Sequence, residues 1–137
     1  MIVINGENKI FGRLCSYVAK KLVDSNEKVV VVNSRNIMIS GDRKKIVAKY
    51  LDKLDKGGKG NPRNNPKPPR YPDRIFKRAV RGMLPRNATG LKALKRLKVY
   101  IDVPENFDQE VPKAVVLQHI KQISLEELSK QLGAKIK

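Results

Sequence analysis

Cations are the side chains of this 137-residue chain whose type and spacing could do chemistry. From Lys56 to Lys98 the sequence contains fourteen Lys or Arg residues and one acid, Asp73, so this stretch carries +13 of the net +17. Like charges at this density repel one another unless a polyanion neutralises them. With seven aromatic residues and no Trp for base stacking, the composition predicts phosphate contact along structured nucleic acid.

Residues that usually hold metals or act as nucleophiles are scarce. Cys15 is the only cysteine and His119 the only histidine, whereas a metal site needs three or four ligands and a nucleophile needs a base. We expect Cys15 to lie in the core and His119 to be a packing or surface residue. A lone cysteine suits a reducing cytoplasm. The sequence has no apolar run of about 18 residues and no signal-peptide pattern, so we expect no membrane segment.

The N-terminal half predicts a βαβ unit. Apolar runs at residues 2–4 and 29–32 indicate strands, and the second, four valines, is typical of a strand buried on both faces. Between them, helical spacing over a dozen residues predicts a buried face of Leu14, Cys15, Val18, Ala19 and Leu22. A second helix is predicted over residues 43–55, with Ser40 or Asp42 as its N-cap.

Residues 56–72 break this regular pattern. They hold five prolines and three glycines, which predicts an irregular, basic insertion within a single domain of residues 1–137. Strand and helix patterns resume after the insertion, and no second domain is indicated.

A helix with two opposite faces is predicted after the insertion, with Asp73 as its N-cap. Its two stripes are offset by two residues, or about 200° of helix rotation, so one packs on protein and the other is exposed. The apolar stripe is Phe76, Ala79, Val80 and Met83, and the cationic stripe is Arg74, Lys77, Arg78 and Arg81.

A second basic helix is predicted to start at Thr89 or Gly90. Its inward residues should be Leu91, Leu94 and Leu97, with Lys92, Lys95 and Arg96 outward. We expect Gly82 and Pro85 to end the first helix and to set the angle between the two.

The C-terminal third predicts a strand over residues 98–101 and a short final helix. Residues 124–127 form a capping box, with Leu125, Leu128 and Leu132 expected inside and Gly133 as the stop. Residues 114–117 are apolar and fit either a strand or a helix.

The basic helix pair resembles a known family. VRGMLPRNATGLKALKRLKVY at residues 80–100 is similar to the signature of the universal large-subunit ribosomal protein family numbered thirteen. FGRLCSYVAKKL at residues 11–22 and VVVVNSRNIMISG at residues 29–41 agree in the same order. PDRIF at residues 72–76 is similar to the archaeal and eukaryotic branch. That branch commonly has Trp where this chain has Lys77.

This resemblance implies a three-layer α/β/α domain on a four-stranded, mostly parallel sheet. It also implies binding to large-subunit rRNA early in subunit assembly, in the cytoplasm and beside other large-subunit proteins. The family resemblance implies no enzymatic activity, cofactor, metal, small-molecule substrate or membrane.

Fifteen residues are predicted to contact RNA. A solvated helix face is the alternative for the cations, but acids normally alternate with bases on such a face and here they do not. Arg13 lies where a βα turn opens a helix and could hold an anion, and Asn87 could touch a 2′-hydroxyl or turn the chain. The fifteen are Arg13, Arg35, Lys59, Arg63, Lys67, Arg70, Arg74, Lys77, Arg78, Arg81, Arg86, Asn87, Lys92, Lys95 and Arg96.

Two other functions are weaker. A nucleotide-binding enzyme would need a G-x-G-x-x-G or Walker A pattern after the first strand, and the sequence has neither. A helix-turn-helix DNA regulator would read bases from a few positions on one helix. Here the cations span two helices and the insertion.

Overall fold

The computed structural model describes residues 1–58, 60–104 and 121–136. Its strands are β1 (Ile2–Asn5), β2 (Val29–Val32), β3 (Met38–Ser40), β4 (Leu97–Val99) and β5 (Gln122–Ser124). Its helices are α1 (Phe11–Asp24), α2 (Arg43–Asp55), α3 (Pro72–Met83), α4 (Ala88–Arg96) and α5 (Leu125–Gln131), with 3-10 turns at Ser34–Asn36 and Pro62–Asn64. No helix of the described residues is long and apolar enough to cross a bilayer.

A parallel sheet in the order β1-β2-β4 confirms the predicted βαβ unit. Ile2 pairs with Val29 at one end of β1, and Val29 pairs with Leu97 on the other side of β2. Because β2 is central, all four of its valines are buried, as a run of β-branched residues predicts.

The four-stranded sheet implied by the family resemblance is not found among the described residues. They form three parallel strands and a separate antiparallel pair, in which Met38 lies opposite Ser124 and Ser40 opposite Gln122. A single parallel bridge joins Ile10 to Met38. The mixed α/β class is therefore confirmed. Residues 114–117 and His119 lie outside the described residues.

The core forms where α1 and α3 pack against each other and against the sheet. The five residues predicted for the buried face of α1 are all buried. Phe76 of α3 is fully buried, and its ring meets Phe11 edge to face, with centroids 5.9 Å apart and planes at 86°. The α3 side of the core is completed by Ile75 and Val80.

The predicted capping box of α5 is confirmed. The Ser124 hydroxyl accepts a hydrogen bond from the Glu127 amide at 3.2 Å. Leu125, Leu128 and Leu132 are buried, and Gly133, at φ +83°, ends the helix.

Several predicted details of the other helices are wrong. Tyr71 rather than Asp73 is the N-cap of α3, since Pro72 already occupies the first helical position. On α2, helical spacing predicts an apolar stripe of Ile46, Val47, Tyr50, Leu51 and Leu54. Four of these residues are only half-buried against the core, and Leu51 is exposed. The N-cap of α2 is Asp42, as one of the two predicted alternatives had it, although its side chain makes no capping hydrogen bond.

Residues 84–87 join α3 to α4, and we call them the break. The inward faces of the two helices differ from the prediction near this break. Met83 is 48 % exposed and Leu91 is 56 % exposed, whereas Gly90 and Ala93 are buried. The helix begins at Ala88, one residue before the predicted start, because the Asn87 side chain accepts a hydrogen bond from the Gly90 amide at 2.9 Å.

Close backbone packing at Gly90 explains why Gly90 and Ala93 of α4 face inward while Leu91 is exposed. A Cβ on Gly90 would lie 1.9 Å from the carbonyl oxygen of Pro85. At Gly82 the added Cβ would meet no atom of the described residues within 4 Å. Gly90 is thus the glycine at which α4 approaches the Pro85 backbone closely, a contact that the sequence did not predict.

Alanine substitution should change the free energy of unfolding in opposite directions at Gly90 and Gly82. Gly90→Ala is expected to lower the free energy of unfolding by about 1–3 kcal/mol, because the new methyl group collides with backbone. Gly82→Ala should raise it by about 0.5–1 kcal/mol, since alanine costs less entropy in a helix. Urea unfolding followed by circular dichroism measures both, and equal effects at the two positions would contradict this packing.

The buried thiol of Cys15 should make stability depend on alkaline pH. Burial raises its pKa to about 12, above the usual value of about 8.5 for an exposed thiol. As pH rises from about 9 towards 12, the unfolded chain releases a proton that the folded chain keeps, so the free energy of unfolding falls. Urea unfolding at pH 9 and pH 10 should show a smaller fall for Cys15→Ala than for the parent chain. An identical fall in both proteins would refute the assignment.

Candidate nucleic-acid interface

A wide groove of about 1250 Å³ lies between α3, α4 and the residues that lead into α3. We call it the basic groove, and residues 56–71, of which Lys59 lies outside the described residues, the basic arm. Among the described residues that line the groove there are seven cations and no acid. These cations are Lys67, Arg70, Arg74, Lys77, Arg78, Arg81 and Arg86.

Helix α3 supplies the centre of the groove because its two faces are chemically opposite. Its four predicted cations are all exposed, while Ile75, Phe76 and Val80 on the other side are buried. The core therefore fixes the rotation of the helix, and this rotation points the cationic stripe into the groove.

The basic arm lies along α3 and forms a second side of the groove. The Arg78 guanidinium donates a hydrogen bond to the Lys67 carbonyl at 3.2 Å, and the Arg74 guanidinium lies 5.9 Å from the centre of the Tyr71 ring. Within the arm, the Gly58 amide donates to the Asn65 side chain at 2.6 Å. Contacts to α3 thus place Lys67 and Arg70 beside the cations of the helix.

The break and α4 form the third side. Leu84 is buried beneath it, Pro85 contacts Gly90, and Arg86 is exposed in the groove. Asn87 adopts the chain-turning role that the sequence left open, because its side-chain oxygen caps α4.

Seven of the fifteen predicted RNA-contacting residues therefore meet in the groove, and seven more lie elsewhere among the described residues. Arg63 is exposed on the arm, and Lys92 and Lys95 are exposed on α4, but none of these three lines the groove. Lys59 lies outside the described residues. Arg13 is exposed in the first turn of α1.

Two predicted arginines outside the groove have protein partners. Arg96 donates to the Leu22 carbonyl at 2.8 Å and to the Asn26 side chain, which satisfies the C-terminal end of α1. Arg35 forms an ion pair with Asp102 at 2.8 Å. Arg96 therefore has a structural role that the predicted outward orientation did not include.

Ion pairs in the described part of the chain leave the groove cations unneutralised. Besides Arg35–Asp102, the pairs join the N-terminus to Glu27, Arg43 to Glu127, Lys56 to Asp52 and Lys130 to Glu126. None of these cations lines the groove. The acids of these five ion pairs are thus joined to cations outside the groove, and the positive potential of the groove is kept.

The apolar lining of the groove was missed from the sequence. Tyr71 and Leu91 line it, although Leu91 was predicted to face the core. The spacing of Tyr71 and Arg74, three residues apart across a helix start, is a signal that could have identified their contact. The described residues hold no cluster of acids, histidines and cysteines that could bind a metal ion. The seven exposed cations of the groove can bind phosphates.

Comparison with known proteins shows the family of this chain. A sequence model of the family described as "Ribosomal protein L13" matches residues 1–106. The chain is 42 % identical over 139 aligned residues to "Large ribosomal subunit protein uL13" of Methanosphaera stadtmanae, covering 97 % of each chain. The proteins of that name from Methanococcus maripaludis and Methanocaldococcus jannaschii are 39 % and 42 % identical, each over 98 % of this chain and 99 % of the relative. The chain belongs to the ribosomal protein L13 family.

Proposed function

We propose that this protein is a structural constituent of the large ribosomal subunit, where it binds large-subunit rRNA through the basic groove and the basic arm during early assembly. Membership of a ribosomal-protein family supports a structural role, without enzymatic activity, in the cytoplasmic ribosome. The relatives carry the name of a large-subunit protein. Large-subunit rRNA and neighbouring large-subunit proteins are the partners proposed.

The observation that carries the proposal is the basic groove. Its seven cations come from the arm, α3 and the break, and the described residues that line it include no acid. An RNA backbone supplies one negative charge per nucleotide, so a strand lying along the groove would neutralise several cations at once. Seven contacts are within the range of six to ten phosphates that gives a strong salt dependence.

A DNA-reading function fits the groove less well. A recognition helix places a few base-reading side chains of one helix in the major groove. In this protein the cations are spread over α3, the arm and the break. That distribution favours a scaffold that holds RNA segments by their backbones.

Details of the fold form part of the proposal. One buried cluster joins Ile4, Phe76 and Leu128, which lie on both sides of the arm in sequence. This continuity supports a single domain of residues 1–137, with residues 56–72 as an insertion. The four-stranded sheet and the three-layer arrangement implied by the family remain predictions.

Neutralising two groove cations should weaken RNA binding and its dependence on salt. Lys77→Gln with Arg81→Gln removes two exposed charges one helical turn apart. The slope of log affinity against log salt concentration should become shallower by about 2, because each lost phosphate contact removes about one unit. Filter binding to a large-subunit rRNA transcript of Methanococcus maripaludis measures the slope.

The matched control is Lys45→Gln with Lys49→Gln on α2, which has the same spacing and the same charge change on an exposed face outside the groove. It should leave the slope unchanged, and circular dichroism should show both variants folded. Equal slopes for the two double variants would contradict the site. A duplex DNA competitor as effective as the rRNA, at fixed salt, would contradict the proposed function.

Association with the subunit is tested by sedimentation. A tagged chain expressed in Methanococcus maripaludis should migrate with large subunits, and not with small subunits, through a high-salt gradient. Non-specific binding to RNA is electrostatic and is lost at high salt, so retention there separates a constituent of the subunit from a chain held by charge alone. Recovery only at the top of the gradient would argue against a constituent of the subunit.

A further inference from the structure

The basic groove has one apolar wall that phosphate binding does not explain. Leu91 and Pro85 line the groove on the α4 side, and Leu94 lines it as a half-buried neighbour. Leu91 is 56 % exposed. The other walls of the same groove carry the cations of α3 and the arm.

Isolated exposed leucines are normal on protein surfaces and need no explanation. Leu91 differs because it lies in a concave site that the apolar residues Pro85 and Leu94 also line. Its orientation is also fixed, since the contact of Gly90 with the Pro85 carbonyl turns the Gly90 and Ala93 face of α4 inward. The fold thus holds an apolar side chain beside a set of unneutralised cations.

A paired RNA helix matches only half of this surface. An A-form duplex presents phosphates and 2′-hydroxyls, while its bases stay stacked inside. An unpaired nucleotide presents a phosphate and the apolar face of a base together, and base faces stack on arginine and aromatic side chains. The Arg74–Tyr71 pair lines the groove and offers such a surface.

We propose that the basic groove binds an unpaired segment of rRNA, with its phosphates on the α3 cations and one unstacked base against Leu91. This inference rests on the proposed function, and it names the form of RNA that the site takes. The continuous charge of a nucleic-acid backbone suits a groove with seven cations and no acid among its described lining residues. An acidic protein segment is the competing occupant, and the experiments below separate the two.

Leu91→Ala should lower affinity for the Methanococcus maripaludis rRNA transcript by about 3- to 10-fold, because the base loses apolar contact. The slope of affinity against salt should stay unchanged, since no charge is removed. Val23→Ala is the matched control, because Val23 is 55 % exposed on α1 and lies outside the groove. It should leave affinity unchanged.

These measurements distinguish failure of this inference from failure of the proposed function. If the parent chain binds rRNA and Lys77→Gln with Arg81→Gln weakens binding, but Leu91→Ala has no effect, the base contact is refuted and the RNA-binding function stands. If the parent chain does not bind the transcript above its binding to duplex DNA, both fail.

Photocrosslinking identifies what lies against residue 91. Leu91→p-benzoylphenylalanine, in the chain assembled into large subunits, should crosslink to nucleotides that are unpaired by chemical probing of the same subunits. The same substitution at Val23 should give a different set of crosslinks or none. Crosslinks from residue 91 to base-paired nucleotides, or to another ribosomal protein, would overturn the proposal.

Discussion

Burial of one face of α3 is the constraint on which the basic groove depends. Arg74, Lys77, Arg78 and Arg81 lie three or four residues apart, and each of the four like-charge pairs opposes the helix by roughly 0.2–0.5 kcal/mol. Burying a large apolar side chain contributes about 1.5–3 kcal/mol. The three buried residues Ile75, Phe76 and Val80 therefore outweigh the repulsion, and the cationic stripe is held in place before any partner binds.

Two of the predicted cations lie outside the groove and stabilise the fold. Arg96 stabilises the end of α1 through carbonyl and amide acceptors, and Arg35 is neutralised by Asp102. Both arginines contribute to the fold without adding to the charge of the groove.

Sequence patterns predicted the elements whose structure depends on their own residues. The face of α1, the buried valines of β2 and the Ser124 cap follow from periodicity and local hydrogen bonding, and these predictions are confirmed. The cationic stripe of α3 was predicted for the same reason. Its placement opposite Lys67 was not, because the Arg78 hydrogen bond joins residues eleven positions apart across an irregular segment.

The wrong predictions concern residues whose orientation depends on tertiary contacts. Leu91 has the residue type and spacing of a core position. A backbone contact between Pro85 and Gly90 orients α4 so that Leu91 faces away from the core. Periodicity cannot detect that contact, because it involves a missing side chain and a carbonyl. The fold class was predicted correctly. The antiparallel pairing of β3 (Met38–Ser40) with β5, more than eighty residues later, was not predicted, because no local pattern indicates it.

Helix α4 passes into β4 without an intervening residue, since Arg96 ends one element and Leu97 begins the other. The wall that carries Leu91 consequently has no hinge at this end, and turning it would shear the ladder between β4 and β2. Opposite it, residues 65–71 of the arm form neither helix nor strand, and the Arg78 side chain joins them to α3 through its hydrogen bond to Lys67. The groove is thus stiff on one side and compliant on the other, so adjustment to a bound partner falls to the arm.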